Sequence, residues 1–207
     1  MRAVIITGGK IADYNYIKAQ IRTDDTIICA DSGYDHAIKM GVKADIVIGD
    51  FDSIDSISAI PQDTAIIRHP SRKDQTDTEI AIDYAREHGF KDFLLLAATG
   101  GRMDHSLTNI LLLKGFLERG ETAVIVDEHS KIMLTDTTLH LSEAPGTIVS
   151  LVPLSDCTGV CTNNLEYPLN NADMHVGKGV GVSNIMTAGS AVVSVKSGLL
   201  LVIAARD

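Results

Sequence analysis

Short apolar runs alternate with segments of helical periodicity over the first 127 residues of the chain. The apolar runs, which predict strands, are residues 3–7, 26–30, 45–48, 64–68, 92–97 and 122–127. The segments that predict helices are residues 14–22, 34–40, 77–88 and 105–119, and the last three end directly before a glycine. Because strands that are apolar throughout must be buried on both sides, this alternation predicts an α/β domain: a parallel sheet with helices on both faces.

The pattern changes near Glu128, after which helical periodicity is absent. The remaining residues form short β-rich runs that are interrupted by Gly, Pro and Asn. Runs of this kind predict an antiparallel β-sandwich or a barrel. We therefore expect two domains, an α/β domain of residues 1–127 followed by an all-β domain of residues 128–207.

The composition is that of a globular protein with a substantial core, since 45% of the 207 residues are hydrophobic. The formal net charge of −9 argues against nonspecific binding to nucleic acids or anionic membranes, which depends on clustered lysine and arginine. No apolar run approaches the roughly 20 residues of a membrane span, and no signal peptide is visible, so a cytoplasmic protein is expected. The three cysteines lack the partners of a zinc site and are expected to be reduced thiols.

Polar residues directly follow five of the predicted strands. In an open parallel sheet, ligands gather at the carboxyl ends of the strands, so these residues are expected to form one functional edge. They are residues 8–10 (GGK), 31–33 (DSG), 49–53 (GDFDS), 69–76 (HPSRKDQT) and 99–105 (TGGRMDH). The first of these stretches is the weakest candidate, because the chain contains no Walker A pattern and a Gly-Gly-Lys sequence is also typical of a plain turn.

Asp50 and Asp52 follow the third predicted strand, two residues apart. Alternate residues of an extended segment lie on the same face, so the two carboxylates can converge on one point. Carboxylates that close together repel each other unless a cation lies between them, which makes this pair a candidate site for Mg²⁺. The alternative is a polar turn in which the aspartates only cap the segment that follows.

A further acidic candidate, Asp77, lies at the start of a predicted helix. Thr76 and Glu79 match the capping-box pattern T-x-x-E, which predicts Thr76 as the N-cap and Asp77 in the first turn. Asp77 could serve only to complement the helix dipole. Against this, Lys73 and Gln75 in the preceding loop are hydrogen-bond donors for a phosphate or nucleotide, and cations beside carboxylates suit a metal-bound polyphosphate.

The Gly-Gly-Arg turn at residues 100–102 connects a predicted strand to a predicted helix. Glycines let backbone N–H groups approach an anion closely, and Arg102 adds a bidentate donor, so the turn predicts a phosphate site. Asp104 is either the N-cap of the helix or a ligand contact, and His105 is either a surface residue or a ligand contact. Asn109 lies one turn further on the same helix face.

Four motifs follow one another along the first domain: ADSG at residues 30–33, GDFDS at 49–53, DQTD at 74–77 and GGRMDH at 100–105. Three more stand in the β-rich half: NLEYPL at residues 164–169, GVGVSN at 179–184 and VKSGLLLVI at 195–203. Each motif is weak by itself. Together, in their order and spacing and over nearly the whole chain, they resemble the thiamine pyrophosphokinase family.

The resemblance implies an enzyme that transfers an intact pyrophosphoryl group from ATP to the hydroxyethyl oxygen of thiamine, giving thiamine diphosphate and AMP. Mg²⁺ is then the implied cofactor, since it neutralises the triphosphate and helps to align it with the hydroxyl. The implied metal ligands and catalytic residues are Asp50, Asp52 and Asp77. The implied ATP contacts are Asp31, Lys73, Gln75, Arg102, Asp104 and His105.

The resemblance also implies a role for each domain. Residues 1–127 would bind ATP and the metal, and the β-sandwich of residues 128–207 would bind thiamine and form the interface of a homodimer. Thiamine would lie between the α/β domain of one subunit and the sandwich of the other, so that Ser183 and Asn184 serve the partner's site. A β-turn is the alternative role for this Ser-Asn pair. Some family members stack thiamine on a tryptophan, but this chain has none, so its thiamine rings must pack on another side chain.

Two other functions are compatible with parts of the sequence. A phosphohydrolase could use one aspartate of D-F-D-S as a nucleophile, as haloacid-dehalogenase-like enzymes do, but here the motif ends in serine and follows the third strand instead of the first. A nonenzymatic thiamine or nucleotide sensor could have kept the pocket without the chemistry. The presence of all four aspartates, at positions 31, 50, 52 and 77, argues against that loss.

Overall fold

The computed structural model describes residues 1–50, 60–68 and 74–206. The chain divides into two compact units, Met1–Glu128 and His129–Asp207. Two of the residues predicted to form the site, Asp52 and Lys73, lie outside the described residues. Among the helices of the described ranges, none combines the length and the apolar character needed to cross a membrane.

The first unit is built around a parallel sheet. Its elements are, in chain order, β1 (Arg2–Ile6), α1 (Tyr14–Lys18), β2 (Thr26–Ala30), α2 (Gly33–Met40), β3 (Ile46–Gly49), β4 (Ala65–Arg68), α3 (Asp77–Glu87), β5 (Asp92–Leu96), α4 (Met103–Glu118) and β6 (Thr122–Val126). Neighbouring strands run parallel in the order β6-β5-β1-β2-β3-β4. The chain thus builds outward from β1 to β4 and then returns to the other side of β1 with β5. This reversal creates a topological switch point between β1 and β5, where open α/β sheets bind ligands.

Helices cover both faces of this sheet because alternate residues of each strand point to opposite sides. On one face, Ile17 of α1 and Met40 of α2 belong to the same buried cluster as strand residues Val4, Ile6, Ile27, Cys29, Val47, Leu94, Leu96 and Val126. On the other face, the ring of Phe93 in β5 packs on Phe116 of α4, with 4.8 Å between the ring centroids. The predicted parallel sheet with helices on both faces is therefore confirmed.

The starts of α3 and α4 test two capping predictions. At α3 the capping box is confirmed: Glu79 N–H donates to Thr76 Oγ1 over 3.2 Å, and Thr76 N–H donates to Glu79 Oε2 over 2.9 Å. At α4 the N-cap position is Arg102, whose side chain makes no capping hydrogen bond. Asp104 is therefore not the N-cap, because the helix begins one residue before it. Its carboxylate instead accepts the N–H of His105 over 3.0 Å.

The second unit is all-β. Its strands are β7 (Ser130–Thr135), β8 (Thr138–Leu141), β9 (Ile148–Pro153), β10 (Cys157–Asn163), β11 (Ala172–Met174), β12 (Asn184–Ile185), β13 (Ala191–Ser194) and β14 (Leu200–Ala205). They pair antiparallel in two sets, β12-β9-β14-β7 and β11-β10-β13-β8. One buried cluster joins both sets, with Val149, Leu151, Leu200 and Val202 from the first and Leu141, Cys157, Val160, Met174 and Val193 from the second. Apolar faces that meet in this way make a β-sandwich, as predicted, and not a barrel.

Candidate active site

A cleft of about 480 Å³ opens at the carboxyl ends of β1, β2 and β5. Three turns that follow these strands line it, at residues 7–10, 30–32 and 97–102. The starts of α3 and α4 add Thr76, Asp77, Thr78, His105, Ser106 and Asn109. The cleft therefore lies at the topological switch point of the sheet, where the strand order leads us to expect a ligand site.

The turns after β1 and β5 are held side by side through Gly9. Its N–H donates to the carbonyl oxygen of Ala97 over 2.8 Å, and the next N–H, of Lys10, donates to the carbonyl oxygen of Gly100 over 2.7 Å. A Cβ atom on Gly9 would lie 2.2 Å from the oxygen of Ala97 and 2.3 Å from that of Thr99. Only glycine permits so close an approach, so the Gly-Gly-Lys stretch is part of the cleft wall and not merely a surface turn.

The turn after β5 is held by hydrogen bonds from neighbouring parts of the first unit. Ala97 has a φ of 54°, a left-handed conformation that is uncommon for a residue with a side chain and recurs at functional sites. The buried amide of Asn109 donates from α4 to the carbonyl oxygen of Ala98 over 2.8 Å. The hydroxyl of Thr99 donates to Asp127 Oδ2 over 2.6 Å. Together with the bonds from Gly9 and Lys10, they hold residues 97–100 in one shape, as a loop that cradles phosphate requires.

The cationic group of this turn, Arg102, is paired with Asp104. The guanidinium donates to both carboxylate oxygens, over 3.1 Å from Nε to Oδ1 and 2.5 Å from Nη2 to Oδ2. This bidentate contact lowers the pKa of Asp104 to about 2, with a smaller contribution from the N–H of His105. Both side chains are exposed, so an anion that enters the cleft can compete with Asp104 for the arginine.

We expect the carboxyl of Asp104 to titrate at a higher pH in an Arg102→Gln variant than in the unchanged protein, where the midpoint should lie near pH 2. A carboxyl whose pKa is lowered by folding adds stability above its ordinary pKa and loses that stability as the pH falls through the lowered value. Carboxyl-carbon NMR titration measures the midpoint. Asp156 is the matched control, because its pKa is lowered by the N–H of Val176 and by His175. An Asp104 midpoint that did not move would show that Arg102 is not its partner in solution.

Two of the predicted aspartates, Asp31 and Asp77, line the cleft. Asp31 directly follows β2, and its N–H donates to the carbonyl oxygen of Ile48 in β3 over 2.7 Å. A Cβ atom on Gly49 would lie 3.2 Å from the Cα atom of Asp31, so the ends of β2 and β3 are in close contact. Asp50 follows Gly49 and so stands at the strand end beside Asp31, although it is not among the described residues that line the cleft.

The donor chemistry of these aspartates fits Mg²⁺. This cation prefers oxygen ligands and, on phosphate substrates, usually takes only one or two carboxylates and completes its octahedron with water and phosphate oxygens. Within residues 1–50, 60–68 and 74–206, no group of three His, Cys, Asp or Glu side chains forms a ready-made metal site.

Gln75 is not brought to the cleft. Its side-chain amide donates to Asp83 Oδ2 on α3 over 2.9 Å, and both residues line a separate groove of about 220 Å³ beside α3 and α4. The sequence did not point to three other residues that line the cleft, namely Thr7, Thr78 and Ser106. Their position in the sequence is itself a signal, because each lies in or next to a predicted strand end or helix start.

In the second unit, Asn184 is buried, and both ends of its side-chain amide form hydrogen bonds with backbone. Its Oδ1 accepts the N–H groups of Tyr167 and Ile185, over 3.0 and 2.9 Å, and its Nδ2 donates to the carbonyl oxygen of Tyr167 over 2.7 Å. Ser183 is exposed, has a φ of 59°, and donates its N–H to Ser150 Oγ over 3.0 Å. The Tyr167 side chain itself is 66% exposed. Asn184 therefore holds Tyr167 in place, and the sequence motif gave no sign of this link.

Comparison with known proteins agrees with this fold. The catalytic-domain model of thiamin pyrophosphokinase matches residues 17–126, and the vitamin B1 binding domain model matches residues 136–200. The chain is 30% identical over 199 residues to a thiamine pyrophosphokinase of Bacillus subtilis, with 87% of each sequence covered.

Solved structures show the same fold. The structure of a thiamine pyrophosphokinase from Bacillus subtilis superposes with a TM-score of 0.91 at 24% identity, over 100% of both chains. That of a thiamin pyrophosphokinase from Geobacillus thermodenitrificans gives a TM-score of 0.88 at 27% identity, over 100% of this chain and 98% of the other. Since one family model matches more than half of the chain and a second matches most of the rest, the chain belongs to the thiamin pyrophosphokinase family.

Proposed function

We propose that this enzyme transfers a pyrophosphoryl group from ATP to the hydroxyl of thiamine, with Mg²⁺ as cofactor, and releases thiamine diphosphate and AMP. Membership of the family supports the formation of thiamine diphosphate. The observation that carries the ATP part is the cleft at the switch point, which combines glycine turns, an arginine and aspartates. In a chain with a net charge of −9, bound Mg²⁺ would offset the repulsion between the protein and a polyphosphate.

In this proposal the first unit holds the nucleotide. The turn at residues 97–102 offers backbone donors and the Arg102 guanidinium to the phosphates, and His105 lies beside it at the start of α4. The N–H groups of Gly9 and Lys10 are already bonded to this turn, so residues 8–10 support it. Asp50 and Asp77, with Asp52, would hold Mg²⁺, which when bound neutralises phosphate charge, and Asp31 would lie near them. Phosphoryl-type transfer needs little covalent help from the protein, so the contribution of these residues is to place the β-phosphorus in line with the thiamine hydroxyl.

The test is incubation of the protein with ATP, Mg²⁺ and thiamine, followed by identification of both products. We expect AMP and thiamine diphosphate in equal amounts, and neither when thiamine is left out. Phosphate release without thiamine would indicate the phosphohydrolase instead. Binding of both ligands without any product would indicate a sensor, and ADP formed only with thiamine would show transfer of a single phosphoryl group.

We further propose that the second unit binds thiamine and that the rings pack on Tyr167. This is the one Phe, Tyr or Trp residue in the sequence from residue 128 onward. Its ring is exposed while Asn184 fixes its backbone, so a flat surface is presented at little entropic cost. The thiazolium ring of thiamine is cationic and suits the face of an aromatic side chain.

Replacing Tyr167 by alanine is expected to raise the KM for thiamine about tenfold, because the variant loses aromatic and cation–π contact. The KM for ATP should not change. Tyr167→Phe is the matched control and should stay close to the unchanged protein, since the ring is retained. Steady-state kinetics with each substrate varied in turn provides the measurement. Equal losses in the Ala and Phe variants would point to the hydroxyl and against ring packing.

We propose that two copies of the chain form a homodimer with shared sites. Each unit has exposed apolar side chains, which mark interaction surfaces when they cluster. On α4, Met103, Leu107 and Leu111 are 79%, 53% and 49% exposed and follow one another at intervals of four residues, so they share a helix face. In the second unit, Val180 and Val182 are each 53% exposed, and they lie in the segment directly before Ser183.

Subunit complementation tests the shared sites. In a dimer of an Asp77→Asn chain and a Ser183→Ala chain, one site carries both changes and the other carries neither. When the two chains are co-expressed with different tags and the mixed dimer is purified, about half of the wild-type activity should return, because a symmetric dimer has two equivalent sites. If each site is built from a single chain, the mixed dimer can only average the two parent activities, and that result would contradict the proposal.

A further inference from the structure

His36 on α2 is not among the described residues that line the cleft, yet it contacts a turn that does. Its Nε2 atom lies 2.7 Å from the carbonyl oxygen of Gly9. On the other side of the ring, Nδ1 lies 2.8 Å from the hydroxyl of Tyr14, at the start of α1. The imidazole thus connects α1 and α2 to the wall of the proposed nucleotide site.

Chemistry fixes the direction of these bonds. The carbonyl oxygen of Gly9 can only accept, so the proton must be on Nε2 of His36. In the neutral ring Nδ1 is then an acceptor, and the hydroxyl of Tyr14 must donate to it. Burial lowers the pKa of His36, and Lys39 lowers it further, while the Gly9 bond and Asp35 oppose these effects. The net direction favours the neutral ring that this arrangement requires.

The bond from His36 acts on a peptide group that is also held at its other end. The carbonyl of Gly9 and the N–H of Lys10 belong to the same planar unit. His36 holds the oxygen, and the carbonyl oxygen of Gly100 accepts the N–H over 2.7 Å. Glycine allows this peptide to rotate more freely than any other residue would, so both bonds are needed to keep one orientation.

We propose that His36 is a positioning residue for the nucleotide: by holding the Gly9 carbonyl it fixes the Gly9–Lys10 peptide against the turn after β5. The identity of the ligand as a nucleotide polyphosphate rests on the proposed function. Loss of the His36 donor would let the peptide rotate and would displace the N–H and side chain of Lys10 in the cleft. Thiamine, which is proposed to bind through the second unit, should be affected much less.

Two substitutions that introduce an amide side chain distinguish the contribution of Nε2 of His36 from that of Nδ1. In His36→Gln the amide nitrogen can occupy the place of Nε2 and still donate to Gly9. In His36→Asn the shorter side chain reaches only the place of Nδ1, so the Gly9 bond is lost. We expect the KM for MgATP to rise about tenfold in the Asn variant and to stay within about threefold of the unchanged value in the Gln variant, with the KM for thiamine unchanged in both. Tyr14→Phe, which removes the orienting hydroxyl, should fall between them.

A second measurement does not depend on activity. Long-range ¹H–¹⁵N NMR of labelled histidines should show His36 protonated at Nε2 and unprotonated at Nδ1. The signals of His36 are assigned by their absence in the Gln variant. The backbone amide signals of Gly9, Lys10 and Gly100 should move in the Asn variant and stay in place in the Gln variant. A proton on Nδ1, or equal effects of Asn and Gln on KM and on these signals, would overturn the proposal. If the unchanged protein makes no thiamine diphosphate, the proposed function fails while the NMR result still decides the role of His36.

Discussion

The Asp77→Asn variant is expected to form thiamine diphosphate at least about a hundredfold more slowly than the unchanged protein, with little change in thermal stability. Asp77 lines the cleft from the first turn of α3, where its carboxylate is proposed to hold Mg²⁺. Asparagine keeps the size and polarity of the side chain and removes only the charge that attracts the cation. Steady-state kcat at saturating ATP, Mg²⁺ and thiamine gives the effect, and a melting curve checks the fold.

Glu79→Gln is the matched control, since it removes the same charge from the same turn of α3. Glutamine can still accept the N–H of Thr76, so the capping box is retained. Glu79 lines the separate groove beside α4 and not the cleft. We expect this variant to keep near-normal activity. If both variants lost activity equally, or if Asp77→Asn were nearly normal, Asp77 would have no role beyond that of an acidic residue at a helix start.

Features that depend on local sequence were predicted well. The capping box at Thr76 located the start of α3 and thereby placed Asp77 at the sheet edge, because a cap is formed by residues three positions apart. The alternation of apolar runs and helices predicted the parallel sheet, because a strand that is buried on both faces is apolar at nearly every position. The choice of the strand ends as the site followed from the sheet alone.

Features that depend on partners distant in sequence could not be predicted. Nothing near Asn184 shows that its amide closes on the backbone of Tyr167, 17 residues earlier. The sequence predicts a nucleotide contact for Gln75, but in the structure its side-chain amide donates a hydrogen bond to Asp83, eight residues later. The contact of His36 with Gly9 joins residues 27 positions apart and becomes visible only when α2 is packed on the sheet. Local patterns indicate which residues reach the site, and the fold decides what each of them contacts.

Gly9→Ala is expected to lower kcat/KM for MgATP about a hundredfold, because a displacement of about 1 Å in a positioning element can cost that much. The new Cβ atom would lie 2.2 Å from the carbonyl oxygen of Ala97 and 2.3 Å from that of Thr99. Both contacts are with backbone, which cannot turn away as a side chain can, so the turns after β1 and β5 must separate. Overpacking of this kind should also cost about 1–3 kcal/mol of stability. Kinetics with MgATP varied, together with a denaturant titration, measures both effects.

Gly189→Ala provides the control for the substitution itself. A Cβ atom on Gly189 meets nothing within 4 Å, so this variant should keep the activity and stability of the unchanged protein. In Gly9→Ala the KM for thiamine should change little, since the disturbance is confined to the turns that are proposed to hold the polyphosphate. A loss of stability with a normal KM for MgATP would separate the two effects and show that contact between the turns supports the fold but not the nucleotide. If MgATP binding is weakened as expected, Gly9 is a principal determinant of the site, although the Gly-Gly-Lys stretch that contains it is the weakest candidate in the sequence.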